Sequence, residues 1–431
     1  MAEIARIKIW DKKVGAVAYD RSSGISSFEF EAAFLNTGWD LSPIKMPLKS
    51  PKGTVFKFPD LSRNSSFKGL PGLLADALPD NYGNALIDAW LSRNGRASGS
   101  LNPVEILCFI GKRAMGALEF EPVEPKTTNT ATKIEIDSLV EIAQDILLNR
   151  KDFAANLSGE EEKAMLDILK IGTSAGGARA KAIIAYNPIT GEVRSGQTNA
   201  PQGFSHWLIK FDGVEDKQFG ASSGYGRVEM AYYNMARECK IEMTECQLYE
   251  ENGRAHFMTR RFDRPSENEK LHVQTFHAMQ HYDFQTPGNY SYEQLFETMR
   301  LLRLDYYPRA EQLYRRMVFN AMARNCDDHT KNFAFTMDKE SSWNLSPAYD
   351  VCHAYRPQSS WVDKHNLTIN GKRENFTKDD FLTVAKNMNI KKAGYIIEEI
   401  SMAVKKWPDF ADEQKVDSGL RDSIQITLLP L

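Results

Sequence analysis

The sequence predicts an α+β protein that is β-rich at its N-terminal end, mixed in the middle and mainly helical towards its C-terminal end. Three observations carry this. Short alternating segments punctuated by glycine fill the first 120 or so residues, the period-2 pattern of half-buried strands. From about residue 290 onward apolar residues recur at three- and four-residue spacing, the pattern of helices with one buried face. The 431 residues are enough for two or three structural units with cores of their own.

In chain order, RIKIW and SFEFEAAF alternate, and Gly15, Gly24, Gly38 and Gly53 mark breaks. A helix is predicted over residues 82–93, after FKGLPGLLADALPD. A strand pair is predicted around Gly111, from VEILCFIG and GALEFEP. Residues 122–133 (PVEPKTTNTATK) have the Pro/Thr-rich, aperiodic character of a linker. Leu139, Ile142, Ile146 and Leu147 predict a helix over 136–149, and a second is expected over 160–169. ILKIGTSAGGARAKAIIAYNP reads as strand, glycine-rich centre and strand. HWLIKF (206–211) reads as a strand, RVEMAYYNMAREC (227–239) as a helix, and HFMTRRFDR (256–264) as a strand entering a connector. YSYEQLFETMRLLR, AEQLYRRMVFNAMARN, DDFLTVAKNMN and YIIEEISMAVKKW supply the later helices. The domains expected are a β-rich subdomain (1–122), a core with the glycine-rich loop (134–258) and a helical portion (259–431).

Composition excludes several classes. Lys and Arg number 54 against 57 Asp and Glu, a formal charge of −3, which argues against a protein coated with basic residues for nucleic acid but leaves room for a local patch. No stretch approaches the ~20 apolar residues that span a bilayer, and MAEIARIKIWDKKVGAVAYD lacks the pattern of a secretory leader. The expectation is a cytoplasmic protein with no membrane partner. Cys108, Cys239, Cys246, Cys326 and Cys352 are odd in number, and no pair has CxxC spacing, so reduced thiols are expected rather than disulfides or a zinc site.

The most informative segment is 325-NCDDHTKN-332, directly after an amphipathic helix. Asp327 and Asn332 have the spacing of a carboxylate that accepts a hydroxyl proton and an amide oxygen that ligates Mg²⁺ in phosphoryl transfer. Such chemistry needs an aimed nucleophile and neutralised phosphate charge, and Mg²⁺ takes one or two protein oxygens plus phosphate oxygens. The same residue types also cap turns at a helix end. A second carboxylate, Asp350 in LSPAYD, follows a strand-like NFAFTM and a turn at 338-DKESS-342, where a metal-binding Asp would stand. There is no DFG.

Two upstream elements complete the set. Gly172–Lys181, GTSAGGARAK, matches no named phosphate loop; it is either a turn between strands or a nest for phosphate oxygens, with Arg179 and Lys181 adding charge. Lys210 in HWLIKF is either an exposed strand residue or a phosphate-binding lysine, with Glu229 or Glu238 on the next helix as its ion-pair candidate. The order, glycine-rich loop, strand Lys, helix Glu, connector, helical lobe, DxxxxN and Asp, is that of a bilobed protein-kinase-like fold.

With these motifs in view, the chain resembles the HipA family of bacterial Ser/Thr kinases, the toxins of HipBA toxin–antitoxin pairs. The resemblance rests on GTSAGGARAKA, HWLIKF, TRRFDR, NCDDHTKNFAF, LSPAYDV and NLTINGKRENFTKDDF, with FKGLPGLLADALPDNYGNALIDAWL in the N-terminal part, and it covers nearly the whole chain. It implies ATP and Mg²⁺ as cofactors. It implies Asp327 as the residue that orients or deprotonates the acceptor hydroxyl, with His329 and Lys331 supporting the catalytic loop. It assigns Asn332 and Asp350 to the metal, Lys210 to nucleotide phosphates, and Ala175, Gly176, Gly177 and Lys181 to the phosphate-covering loop. Thr259, Arg260, Arg261 and Phe262 would form the connector beside adenine, and Ser174 would be an autophosphorylation site whose dianionic phosphate expels the loop and silences the enzyme. Where some members carry an acidic residue before the loop lysine, this chain has Ala180; where some carry Glu in the connector, it has Arg260.

The resemblance implies a growth-inhibiting, persistence-linked toxin that phosphorylates a translation-related protein such as an aminoacyl-tRNA synthetase. It implies a HipB-like helix-turn-helix antitoxin as partner, with DNA reached only through that complex. Two other functions fit the same residues: a small-molecule kinase of the aminoglycoside- or lipid-kinase type, and a non-catalytic co-repressor of a DNA-binding antitoxin.

Overall fold

The computed structural model describes residues 4–93, 95–123, 180–196, 200–214, 224–266 and 269–431. Most of the expected linker, the helices expected over 136–149 and 160–169, and Ser174, Ala175, Gly176, Gly177 and Arg179 lie outside the described residues. The chain is a mixed α/β protein with antiparallel sheets and divides into two compact units. The first comprises Met1–Ser42, Met46–Gly226 and Gln247–Val273; the second comprises Pro43–Lys45, Arg227–Cys246 and Gln274–Leu431.

The first unit holds two five-stranded sheets. Strands β1 (Ile4–Ile9), β2 (Lys12–Asp20), β3 (Ile25–Phe30), β4 (Val55–Phe56) and β5 (Leu118–Pro122) are ordered β4-β3-β2-β1-β5. Alternation in β1 buries Ala5, Ile7 and Ile9 completely and turns the residues between them outward. β1 and β2 are joined by Trp10 and Asp11, both in left-handed conformation (φ 46° and 65°), the two-residue hairpin geometry that matches strand twist. In β2 a Cβ on Gly15 would lie 2.1 Å from the Glu29 carbonyl oxygen, so only glycine admits this close pairing.

One element differs from the sequence expectation. VEILCFIG lies in a helix, Pro103–Ile110, rather than in a strand. Asn102 caps it: its Oδ1 accepts from the Glu105 amide (2.8 Å), and Glu105 Oε2 accepts from the Asn102 amide (2.9 Å). Pro103 fits the first helical turn, where its missing N–H is not required, and Gly111 ends the helix. An apolar run buried on most sides has no usable period, so the Asn-Pro start decides the outcome.

The second sheet contains β6 (Lys181–Tyr186), β7 (Val193–Ser195), β8 (Ser205–Lys210), β9 (Cys246–Glu251) and β10 (Arg254–Arg260), ordered β7-β6-β8-β10-β9. Tyr82 and Leu86 of the helix Asn81–Arg93 pack against Ala182, Ile184, Trp207, Ile209 and Met258 of this sheet.

The second unit is built around the helix Tyr306–Met322, buried along most of its length from Ala310. Its Tyr314 hydroxyl donates to the Phe381 carbonyl (3.0 Å) in the helix Lys378–Met388, and the helix Ala393–Lys405 packs beside it. The helix Tyr292–Leu301 starts with a capping box between Ser291 and Gln294. An antiparallel hairpin, Ala334–Met337 with Trp343–Leu345, fills the interval between 325–332 and Asp350, and Asp338 closes its turn by accepting from the Ser342 amide (2.9 Å).

Candidate active site

In the second unit the helix Tyr306–Met322 stops where Arg324 turns left-handed (φ 55°). The chain then runs back along the segment that follows Asp350: Cys326 N–H donates to the Ala354 carbonyl and Ala354 N–H to the Arg324 carbonyl, both at 3.1 Å. These bonds hold residues 325–332 and Asp350 at one place. Asn325, Asp328, Asn332 and Asp350 line one small cavity with Asn320 and Arg316.

The geometry around Asp327 is specific. Asn332 Nδ2 donates to the Asp327 carbonyl (2.6 Å), so the amide oxygen of Asn332 is the group left for a cation. Trp361 Nε1 donates to Asp327 Oδ1 (2.6 Å), and His329 Nε2 lies 3.8 Å from the same oxygen. Burial raises the Asp327 carboxyl above its ordinary range; His329 opposes this and the Asp350 carboxylate adds to it. The Asp327 side chain keeps 22% of its surface exposed. Asp350 itself is in the left-handed region (φ 56°), a conformation Asp tolerates better than most residues. Lys331 places its ammonium 4.7 Å from the centre of the Phe284 ring, and its carbonyl accepts from the Tyr349 hydroxyl (2.6 Å). Phe284, His329 and Trp361 form an aromatic wall beside Asp327.

Sequence reasoning missed the layer beneath. Asp328, fully buried, accepts from the Tyr292 hydroxyl (2.9 Å), from His365 Nδ1 (2.9 Å) and from the Asn366 amide (2.7 Å). Burial alone would hold His365 neutral, but the Asp328 carboxylate overrides it and pushes the imidazole up to about 10. Asn366 Nδ2 in turn donates to the carbonyls of Cys326 (2.8 Å) and Trp361 (3.1 Å). The loop that carries Asp327 is thereby tied to the loop that carries Trp361. The doubled Asp of NCDDHTKN and the HN pair ahead of LTIN were the available signals.

The oxygen donors suit a hard cation. Asn332 and Asp350 offer one amide and one carboxylate oxygen at the same cavity, the small protein share that Mg²⁺ accepts when phosphate and water complete its shell. Among the described residues no group of three or more His, Cys, Asp or Glu is arranged to enclose a metal.

Lys181, Lys210 and the connector lie in the first unit. Lys181 is the first residue of β6 rather than part of a loop; it is 2% exposed, and its ammonium is 3.0 Å from Asp80 Oδ2. Lys210 ends β8 directly opposite Lys181 and Phe257, with its ammonium 5.8 Å from the Phe257 ring centre. Two cationic side chains on cross-strand partners repel each other, and Asp80 offsets the charge of one. Thr259 and Arg260 pair with Leu208 and Trp207 across β10 and β8. Arg261 turns inward: its guanidinium grips Asp263 (2.9 and 2.6 Å), which also receives Arg264 (2.6 Å) and the Gly116 amide (2.7 Å). Burial opposes ionisation of Asp263, yet the two arginines hold its carboxyl well below the usual range. Arg261 is therefore a buried structural residue, and Phe262 follows it in the connector. In the second unit Glu229 is 3% exposed, whereas Glu238 lies on the surface 3.8 Å from Lys406.

A family model described as the HipA N-terminal domain matches residues 5–121, and one described as the HipA-like C-terminal domain matches residues 173–407. Curated proteins yield no match. A chain in the solved complex of the Shewanella oneidensis MR-1 toxin–antitoxin system HipA, HipB and its operator DNA is similar in fold. It has a TM-score of 0.67 and 16% identity, over 98% of this chain and 94% of that one. The Helicobacter pylori proinflammatory kinase CtkA aligns with a TM-score of 0.36 and 11% identity, over 59% of this chain and 90% of that one. The C-terminal model alone spans more than half of the sequence, and the N-terminal model matches residues 5–121 ahead of it: the chain belongs to the HipA family.

Proposed function

We propose that this protein is a Mg²⁺- and ATP-dependent serine/threonine protein kinase with a bilobed, kinase-like arrangement of a β-rich subdomain (1–122), a nucleotide-binding core (134–258) and a helical catalytic lobe (259–431). The observation that carries the reading is the convergence of Asp327, Asn332 and Asp350. Asn332 is bonded to the backbone of Asp327 and shares a cavity with Asp350, whose carboxylate acts on that of Asp327.

In this mechanism Asp327 orients the acceptor hydroxyl and takes its proton as the oxygen attacks the γ-phosphorus. The new O–P bond forms while the bond to the β,γ-bridging oxygen breaks, and ADP leaves with that electron pair. Trp361 holds Asp327 Oδ1, so Oδ2 is the oxygen that receives the proton. A carboxyl raised by burial is a stronger base in its ionised form. Asn332 and Asp350 would hold Mg²⁺, which would supply charge neutralisation at the phosphate oxygens. Lys210, Lys181 and the segment with Ala175, Gly176 and Gly177 attend the nucleotide phosphates, with Thr259, Arg260 and Phe262 at the connector. Lys331 and His329 support the loop.

Family membership supports a toxin role that includes autophosphorylation at Ser174 and a translation-related protein as substrate. The HipB and operator DNA in the Shewanella complex support a helix-turn-helix antitoxin as partner, with DNA met through it. The test is intact mass and peptide mapping after incubation with ATP and Mg²⁺. One added phosphate at Ser174, lost in Asp327→Ala and Asp350→Ala, is expected. Label that appears on a small alcohol and never on protein would refute the protein-kinase reading.

A further inference from the structure

The two oxygens proposed for the metal come from different segments. Asn332 ends the loop 325–332, and Asp350 follows the hairpin Ala334–Met337 with Trp343–Leu345. A cation that takes both needs the two segments held in register, because Mg²⁺ tolerates little departure from octahedral geometry. Tyr349 joins them next to the ligands themselves. It stands immediately before Asp350, and its hydroxyl donates to the carbonyl of Lys331, which stands immediately before Asn332 (2.6 Å). Tyr349, Asn332 and Asp350 line the same cavity.

The place of that bond in the chain gives it leverage. The Lys331 carbonyl and the Asn332 N–H belong to one planar peptide unit. Its N–H donates to the His329 carbonyl (2.9 Å) and its carbonyl accepts from Tyr349, so the unit is gripped at both ends. The bond from Asn332 Nδ2 to the Asp327 carbonyl then sets the direction of the amide oxygen. On the other side, the segment before Asp350 is anchored to the body of the second unit. The Ser346 amide donates to the Ala334 carbonyl (2.9 Å), the Ser346 carbonyl accepts from the buried Arg316 guanidinium (2.7 Å), and the Ala348 amide donates to the Glu242 carbonyl (2.8 Å). Asp350 itself is left-handed (φ 56°), a conformation that persists where the surroundings impose it. Tyr349 carries one of the imposing bonds, and that bond ends on the backbone of the opposite ligand.

We propose that, with Asn332 and Asp350 read as the metal ligands, Tyr349 is a positioning residue that sets the spacing of their two oxygens and thereby favours Mg²⁺ over a larger, geometrically tolerant cation such as Ca²⁺. Loss of the hydroxyl keeps the ring and both ligands but uncouples the peptide unit ahead of Asn332 from the segment ahead of Asp350. Mg²⁺ binding then suffers, whereas Ca²⁺, which accepts more oxygens in flexible geometry, adapts.

The test is calorimetric titration of the full chain with AMP-PNP, a non-hydrolysable ATP analogue, in EDTA, in saturating Mg²⁺ and in saturating Ca²⁺. The dissociation constant in EDTA divided by that in a cation is the gain in affinity which that cation brings. For Tyr349→Phe the Mg²⁺ gain is expected to fall about tenfold, the upper range for one lost hydrogen bond, and the Ca²⁺ gain by less than about threefold. Affinity in EDTA and unfolding temperature should match the parent. Asp350→Asn should lose the gain with both cations. A Tyr349→Phe protein that keeps the full Mg²⁺ gain, loses as much with Ca²⁺ as with Mg²⁺, or binds more weakly in EDTA as well overturns the positioning role while leaving the two ligands in place. A parent that shows no gain with either cation overturns Asn332 and Asp350 as ligands, and the role of Tyr349 with them.

Discussion

Replacing His365 by glutamine removes the positive charge that faces Asp328 in a site from which water is excluded on both sides of the pair. Asp328 keeps its bonds from the Tyr292 hydroxyl and the Asn366 amide but loses its counter-charge. Stranding a buried charge in this way costs about 3–5 kcal/mol. The pH dependence gives an independent magnitude. The folded-state value for His365 is about 10 against an ordinary 6.5, and at about 1.4 kcal/mol per pH unit this amounts to roughly 4–5 kcal/mol. Because the folded value is the higher one, the stabilisation is complete below pH 6.5 and disappears as pH rises towards 10. Urea unfolding of the parent and His365→Gln at pH 6, 7.5, 9 and 10 reads the difference directly, since other alkaline titrations cancel between the two proteins. The expected gap is several kcal/mol at pH 6 and shrinks steadily above neutrality. A gap below about 1 kcal/mol, or one that is flat with pH, would refute a charged Asp328–His365 pair.

Asp327→Asn should lower phosphoryl transfer at least about 100-fold while leaving the unfolding temperature within a few degrees, measured by label transfer and calorimetry. Asp263→Ala leaves Arg261 and Arg264 buried without a counter-ion and should cost about 3–5 kcal/mol in urea unfolding. Since the Asp263 carboxyl is held below its unfolded value, its contribution is present near neutrality and fades as acid protonates it, so the penalty of that variant should narrow at low pH. Asp80→Ala should destabilise the first unit by about 3 kcal/mol by exposing Lys181 and Lys210 to each other, and Asp80→Ala with Lys181→Met should recover most of it; a double variant as unstable as the single one would rule out charge as the cause.

What could be read in advance followed local periodicity and fixed spacing. β1 alternates and buries Ala5, Ile7 and Ile9, and the helix Tyr306–Met322 shows its apolar face at helical intervals. Asp327, Asn332 and Asp350 stood out because their order and spacing match what phosphoryl transfer would need, and the structure brings Asn332 to the backbone of Asp327 and into one cavity with Asp350. VEILCFIG reads as a strand because its apolar residues show no usable period, and the capping group Asn102, Pro103 and Glu105 distinguishes its helix from a strand. The Asp328–His365 contact was illegible because the partners are 37 positions apart and meet only through the return of the chain in space. Arg261 keeps its place in the TRRFDR connector, but its side chain is committed to Asp263, a contact that the sequence pattern does not show.

The bond from Trp361 to Asp327 also has an optical consequence. Indole emission responds strongly to the charge and hydrogen bonding of its ring N–H, and here that N–H rests 2.6 Å from an oxygen of the proposed base. Of the seven tryptophans in the chain, Trp361 is thus an internal fluorophore in direct contact with Asp327. A difference spectrum between the parent and Trp361→Phe isolates its signal, and that signal follows protonation of Asp327 without any added label.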